Sequence, residues 1–373
     1  MRLAVMLLLS LMLVTSTIAN QGTYLVGFKE RPTDMQKALL KFLGASIVRE
    51  YKNFPIIEIT VDPIGKMMIE RLPFIKYIEP NMVYRVYAPP SRSNSEEDEI
   101  KWNVRMVYND TQIEIWNNYT MGDNPEVELA ILDTGIDITH PEFKDRIITC
   151  EGFGYRTCID RNGHGTHVAG IAAAALDNEG MVGVGPKIRL AIKKVCNDGG
   201  LCFISDIIAG IDDAISDGNE VISMSLGSDS YSASLHDAVK RAYGAGIVIV
   251  AAAGNDGEDV DYPGAYPEVI AVAACDKNKQ IPDWSSRGPE VELTAPGVDV
   301  YSTVPRGYDT MSGTSMATPH VSAAATLLKA YDYTLNNTEI REILDSTAED
   351  LGYNSTIQGN GLLRVDKAFE ALG

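Results

Sequence analysis

From Ile100 onward the apolar residues fall into two alternating patterns. Short continuous runs, "VELAILD", "IRLAIKKV", "VISMSL", "IVIVAAAGN" and "VIAVAAC", read as strands buried on both faces. Between them lie "HVAGIAAAAL", "SDIIAGIDDAI" and "SASLHDAVKRAYGAG", with small and apolar residues at helical spacing. Strands alternating with helices predict an α/β, doubly wound, mainly parallel sheet over residues 100–373. Ligands of such sheets bind at the carboxyl ends of strands, where Asp133 and Asn255 fall.

The pattern before that is different. "GTYLVGFK", "SIVREY", "FPIIEITV" and "IKYIEP" read as strands. "DMQKALLKFLG", closed by Gly44, and "PIGKMMIERL", opened by a proline, read as helices. The order β-α-β-β-α-β predicts a small ferredoxin-like α+β unit over residues 20–87. Residues 88–99, "APPSRSNSEEDE", hold prolines, serines and an acidic run without apolar periodicity, and read as a linker. The first 19 residues carry one arginine, an apolar run too short for a comfortable membrane span, and then small residues. They predict a secretory signal and a secreted, extracellular protein. No later segment is long and apolar enough to cross a bilayer.

Composition narrows the partners. Of 373 residues 45% are hydrophobic and 22% charged, and the formal net charge of −19 excludes a phosphate backbone as a natural partner. Export makes disulfides possible. Among the five cysteines, Cys150 with Cys158 and Cys196 with Cys202 form close pairs that suggest short closed loops, while geometry rather than spacing decides the pairing. Cys275 ends an apolar strand and reads as a buried thiol. Sequons begin at Asn109, Asn118, Asn336 and Asn354 and permit glycosylation.

Three polar residues stand in unusual contexts. Asp133 follows a buried strand in "ILDTGID", His164 opens a helix in "NGHGTHVAG", and Ser315 opens another in "SGTSMATPH". A serine becomes a nucleophile when a base takes its proton and a third group orients that base. The helix start beside Ser315 offers free N–H groups and a positive dipole end to a developing oxyanion. Pro319 is expected within the first turn, where its missing N–H is harmless, and Gly313 leaves backbone room for a substrate. "DTG" would also suit an aspartic protease, but no second copy exists. "HGTH" lacks the glutamate of a zinc-binding "HExxH". His167, His140 and His320 therefore read as packed structural residues and His236 as a surface one. Met316 reads as core filler whose oxidation would hinder its neighbour.

With these blocks in the order Asp, His, Ser, the sequence resembles the subtilisin-type serine proteases, the subtilases, over nearly its whole length. The resemblance implies an inhibitory propeptide at 20–87 and a peptidase domain at 100–373. It implies that Asp133 orients His164, that His164 is general base and acid, that Ser315 attacks the scissile carbonyl, and that the Asn255 amide binds the oxyanion. Ser225, Leu226 and Gly227 match one backbone edge for an extended peptide, and Asp198, Gly199 and Gly200 the facing one, with Gly254 beside the cleft. Asp256 and Asp261 fall where the family lines its S1 pocket, which suggests a preference for a basic P1 residue against a background of broad specificity. Propeptide cleavage is expected at Tyr87 or Arg92. The implied partners are protein and peptide substrates and the chain's own propeptide, acting on a monomer free of the membrane after signal removal. Catalysis needs no cofactor. The resemblance implies a structural calcium at a site that is altered, weak or absent here: Glu142 replaces the usual aspartate and the loop is one residue short, while Asp177, Asn178 and backbone carbonyls remain available as hard oxygen ligands.

Overall fold

The five central runs become the strands Glu128–Asp133, Arg189–Lys194, Val221–Met224, Val248–Ala252 and Ile270–Cys275 of a computed structural model, which describes residues 21–86, 90–91, 100–108 and 127–373. Two further strands, Val291–Pro296 and Ile147–Gly152, form the outer edges of the resulting seven-stranded sheet. Ile147–Gly152 escaped the apolar pattern because an edge strand is only part-buried. Every pairing in the sheet is parallel. The order runs Val291–Pro296, Ile270–Cys275, Val248–Ala252, Val221–Met224, Glu128–Asp133, Arg189–Lys194, Ile147–Gly152. The first strand in the chain, Glu128–Asp133, therefore lies beside the fourth, Val221–Met224, and the winding direction reverses between them. That reversal opens a crevice at the carboxyl ends of both strands.

Two helices are buried on nearly every side rather than along one stripe. His164–Ala173 is buried throughout, and Thr314–Tyr331 packs both against it and against the central strands. Their alanines and glycines allow this close approach. The other helices are bounded by local chemistry. Ile204–Asp217 ends at Gly218, whose φ of 78° is the left-handed conformation that glycine adopts without cost. Asn337–Thr347 begins with a capping box in which Asn336 accepts from the N–H groups of Thr338 and Glu339, while Glu339 reaches back to the Asn336 N–H. Asn354 caps Ser355–Gln358, its side chain accepting from the Thr356 N–H. Two of the four sequon asparagines thus start helices; Asn109 and Asn118 lie outside the described residues.

The chain divides into two compact units. The first spans residues 21–82 together with Ser232–Asp237. Its strands Ser46–Glu50, Ile56–Val61, Gly22–Phe28 and Ile75–Pro80 lie in that order, all antiparallel. Helices Asp34–Phe42 and Pro63–Glu70 connect them in the expected β-α-β-β-α-β order. Val26, Phe28, Leu40, Ile57, Ile59 and Ile69 form its core.

The second unit begins at Val83. Val83–Val86 is the middle strand of a small three-stranded sheet, with Leu201–Phe203 on one side and Leu226–Gly227 on the other. Tyr87, Arg92 and the first 19 residues lie outside the described residues, as does most of the 88–99 linker. Pro90–Ser91 pairs with Thr310 and Met311. Cys150–Cys158 and Cys196–Cys202 are disulfides, and Cys275 is a buried thiol. Among the described residues no helix is long and apolar enough to cross a membrane.

Candidate active site

Asp133 is the last residue of its strand and almost fully buried. Its Oδ1 accepts from the Thr134 N–H at 2.6 Å and lies 2.7 Å from His164 Nδ1. The approach is possible because the next residue is glycine: a Cβ on Gly165 would overlap the Gly135 carbonyl and stand 3.1 Å from Asp133 Oδ1. One face of the imidazole is therefore fixed by a carboxylate, while His164 Nε2, also buried, has no hydrogen-bond partner.

The turn that delivers His164 is built on Asp160, which the sequence reading passed over. Oδ1 of this buried carboxylate accepts from the Thr134 hydroxyl and the N–H groups of Asn162 and Gly163, at 2.9–3.0 Å. Oδ2 accepts from the N–H and hydroxyl of Thr166. The Thr134 backbone and side chain thus tie Asp133 and Asp160 together. An acid four residues ahead of a helix-opening histidine was the available signal.

Ser315 is the second residue of Thr314–Tyr331 and has no solvent exposure. Its hydroxyl donates to the Ser225 carbonyl at 3.2 Å, and its own carbonyl accepts from the Ser225 hydroxyl at 2.8 Å. This corrects the expected place of Pro319. Because the helix starts at Thr314, Pro319 is its sixth residue and lies beyond the first turn. The N–H that proline lacks is the one that would bond the Ser315 carbonyl, four residues back. Ser225 supplies the donor instead, and so reaches the site through its side chain as well as its backbone.

Asn255 follows the strand Val248–Ala252. Its Oδ1 accepts from the Thr314 N–H at 2.8 Å and the Thr314 hydroxyl at 2.9 Å. The carbonyl end of the amide is anchored to the helix start, which turns its NH2 end away from Thr314. Gly254, with φ of 116°, packs between Ser286 and Asp261: a Cβ there would lie 2.6 Å from Ser286 Oγ and 2.8 Å from Asp261 Oδ2. On another side, a Cβ on Gly227 would lie 3.3 Å from the same Oδ2. Asp261 is 5% exposed, and burial, aided by Asp256 and Asp229, pushes its carboxyl up to about 7. Asp256 accepts from the Ser286 hydroxyl and the Glu258 N–H.

Two backbone edges flank Val83–Val86. Leu226 and Gly227 pair antiparallel with Val86 and Arg85. Opposite them, Leu201, Cys202 and Phe203 pair with Arg85, Tyr84 and Val83. Of Asp198-Gly199-Gly200 only Gly200 joins in, its carbonyl accepting from the Val86 N–H at 3.0 Å. Asn197 Oδ1 accepts from the Gly199 and Leu201 N–H groups and curls the segment before Leu201 into a turn. Asp198 is drawn to Lys194 at 3.0 Å, whose hydrogen bond holds its carboxyl below the usual range.

A buried carboxylate on an imidazole, a helix-start serine bonded to Ser225 and an anchored amide stand at the carboxyl ends of three neighbouring strands, Glu128–Asp133, Val221–Met224 and Val248–Ala252. A profile of the subtilase family matches residues 124–361. The chain belongs to the subtilase family. Subtilisin E of Bacillus subtilis (strain 168) is 35% identical over 365 residues, which cover 94% of this subtilase and 91% of that relative. Subtilisin DY of Bacillus licheniformis is 45% identical over 250 residues, 65% of this chain and 90% of that one. Among solved structures, fervidolysin from Fervidobacterium pennivorans, a keratinolytic enzyme related to subtilisin, superposes with a TM-score of 0.83 at 26% identity. That match takes in 94% of this subtilase, which spans 61% of the fervidolysin chain. The chain is thus a subtilisin-type serine endopeptidase, a hydrolase acting on protein substrates.

Proposed function

We propose that this subtilase is a secreted endopeptidase, made as a zymogen that cleaves off its own propeptide and acts on extended peptides through an acyl-enzyme. Val83–Val86, held antiparallel between two backbone edges, carries this reading: it is a peptide of the chain itself seated as a substrate would be. In the reaction Ser315 turns its hydroxyl from the Ser225 carbonyl to His164 Nε2. His164 takes the proton while Asp133 holds Nδ1 and stabilises the imidazolium. The Oγ–carbon bond forms, and the oxyanion is met by the Asn255 NH2 and the Ser315 N–H. His164 returns the proton to the leaving amine, and water repeats the sequence on the acyl-enzyme.

Asp261 supports a preference for basic P1 residues. It is a buried carboxylate against Gly254 and Gly227, with acidic neighbours and no cation paired to it among the described residues, and an arginine or lysine would supply one. Secretion rests on the leader and is supported by the two disulfides.

The test is incubation of the purified precursor beside its Ser315→Ala form, with sequencing of the fragments. Active chain hydrolyses casein and yields a new N-terminus after Tyr87 or Arg92; Ser315→Ala does neither. Processing or casein hydrolysis that persists in Ser315→Ala removes the assignment.

A further inference from the structure

A second carboxylate, outside the crevice, is as deeply buried as those within it. Glu142, 1% exposed, sits in the short 3-10 turn Pro141–Phe143. Its Oε2 accepts from the Ala175 N–H at 3.0 Å; its Oε1 accepts from the Tyr308 hydroxyl at 2.6 Å and the Met181 N–H at 3.4 Å. Tyr308 comes from the strand Gly307–Met311 and stacks on Tyr301 of the paired strand, with centroids 5.6 Å apart. Lys101 Nζ lies 5.0 Å over the Tyr301 ring, and the His140 ring meets Tyr308 edge-on at 5.2 Å. The half-buried Arg146 donates to the carbonyls of Ala173 and Pro186, and its charge acts on both Glu142 and Asp177.

This is the corner where the family resemblance implies calcium, on Glu142, Asp177, Asn178 and backbone carbonyls. Calcium takes roughly six to eight oxygens. The residues present do not fit it. Both Glu142 oxygens already accept N–H or O–H groups of the protein. The backbone of Gly180 is pressed onto the same pair: a Cβ there would overlap the Tyr308 hydroxyl and stand 2.5 Å from Glu142 Oε1. Asp177 Oδ1 accepts from the Glu179 N–H within its own turn.

We propose that Tyr308, with the N–H groups of Ala175 and Met181, closes this corner around Glu142 without a metal ion. These donors occupy the carboxylate oxygens that a divalent cation would otherwise need. The loop from Ala175 to Met181 is then held by protein groups alone, and its stability does not depend on calcium.

Thermal unfolding of the full chain carrying Ser315→Ala, which cannot digest itself, tests this in millimolar calcium and in excess EDTA. The midpoint is expected to be the same in both, and Tyr308→Phe to lower it by about 2–4 °C equally in both. A calcium-dependent rise that Glu142→Gln abolishes would overturn the proposal, as would Tyr308→Phe leaving the midpoint in EDTA unchanged. A rise that survives Glu142→Gln arises elsewhere and leaves this corner metal-free. If Tyr308→Phe does not fold, the calcium contrast in the parent and in Glu142→Gln decides alone.

Discussion

The Asp261 carboxylate lies so close to Gly254 that a methyl group on that glycine would stand 2.8 Å from Oδ2. Under the proposed preference for basic P1 residues, this is the acid that a cationic side chain would meet. Replacing Asp261 with asparagine is therefore expected to lower kcat/KM for peptides with arginine at P1 by about 10–100-fold, the worth of one desolvated charge pair, while peptides with phenylalanine at P1 change little. Equal losses on both substrates would show that Asp261 shapes the fold and not the preference.

The same group sets a pH dependence. Its carboxyl is raised to about 7 in the folded chain, against an unfolded value of about 4, so the folded state holds the extra proton between those values. Turnover of arginine substrates should rise with pH through about 7 as the carboxylate forms. Stability, by the sign of that linkage, falls over the same climb from about 4 to 7, and Asp261→Asn should flatten the fall. Arginine and phenylalanine substrates with parallel pH profiles would contradict the first expectation.

Two buried histidines act in the opposite sense. His167, with Nε2 between the carbonyls of Val300 and Asp309, is pushed down to about 3 by burial, and His320 to about 4. Both stay neutral in the fold while the unfolded chain protonates below about 6.5, so stability is lost as pH falls from that value. In a Ser315→Ala chain that also carries Asp261→Asn and Asp345→Asn, whose raised carboxyls act in the opposite sense, unfolding midpoints measured from pH 7 to pH 4 should decline. A flat profile would mean that these rings are not held neutral.

Ser225 and Pro319 form a testable pair. Ser225→Ala removes the donor to the buried Ser315 carbonyl and should cost about 1–3 kcal/mol. Adding Pro319→Ala restores a helical N–H to that carbonyl, so the double variant should recover part of the loss. A double-mutant cycle reads this directly, and strict additivity would mean that the two residues do not share the carbonyl.

Asp160→Asn puts an NH2 group among donors that need an acceptor. Denaturant unfolding should show a loss of about 2 kcal/mol or more, and turnover should fall with KM little changed, because the turn presenting His164 loosens. Unchanged kcat would separate Asp160 from the positioning of the imidazole.

Much of this architecture was legible in the chain. Strands buried on both faces announce themselves as unbroken apolar runs, and Asp133, His164 and Ser315 stand out because polar residues at element ends need a reason. What escaped notice was what tertiary contact decides. Asp160 reads as a solvated turn residue until its donors are folded around it. Pro319 is misplaced when a helix start is judged from its nucleophile and not from Thr314. The segment before Leu201 turns because one side chain, Asn197, curls the backbone. The pairing of Val83–Val86 goes unread, since a strand's partners are not written in its own sequence.

That strand has a bearing on the nascent protein. Leu201–Phe203 and Leu226–Gly227 would each present a row of unsatisfied amides, a template on which other chains can assemble. Covered from within by Val83–Val86, they offer no such template. The two edges that the proposed function gives to substrate are thus kept from pairing with a second copy of the chain for as long as Val83–Val86 stays between them.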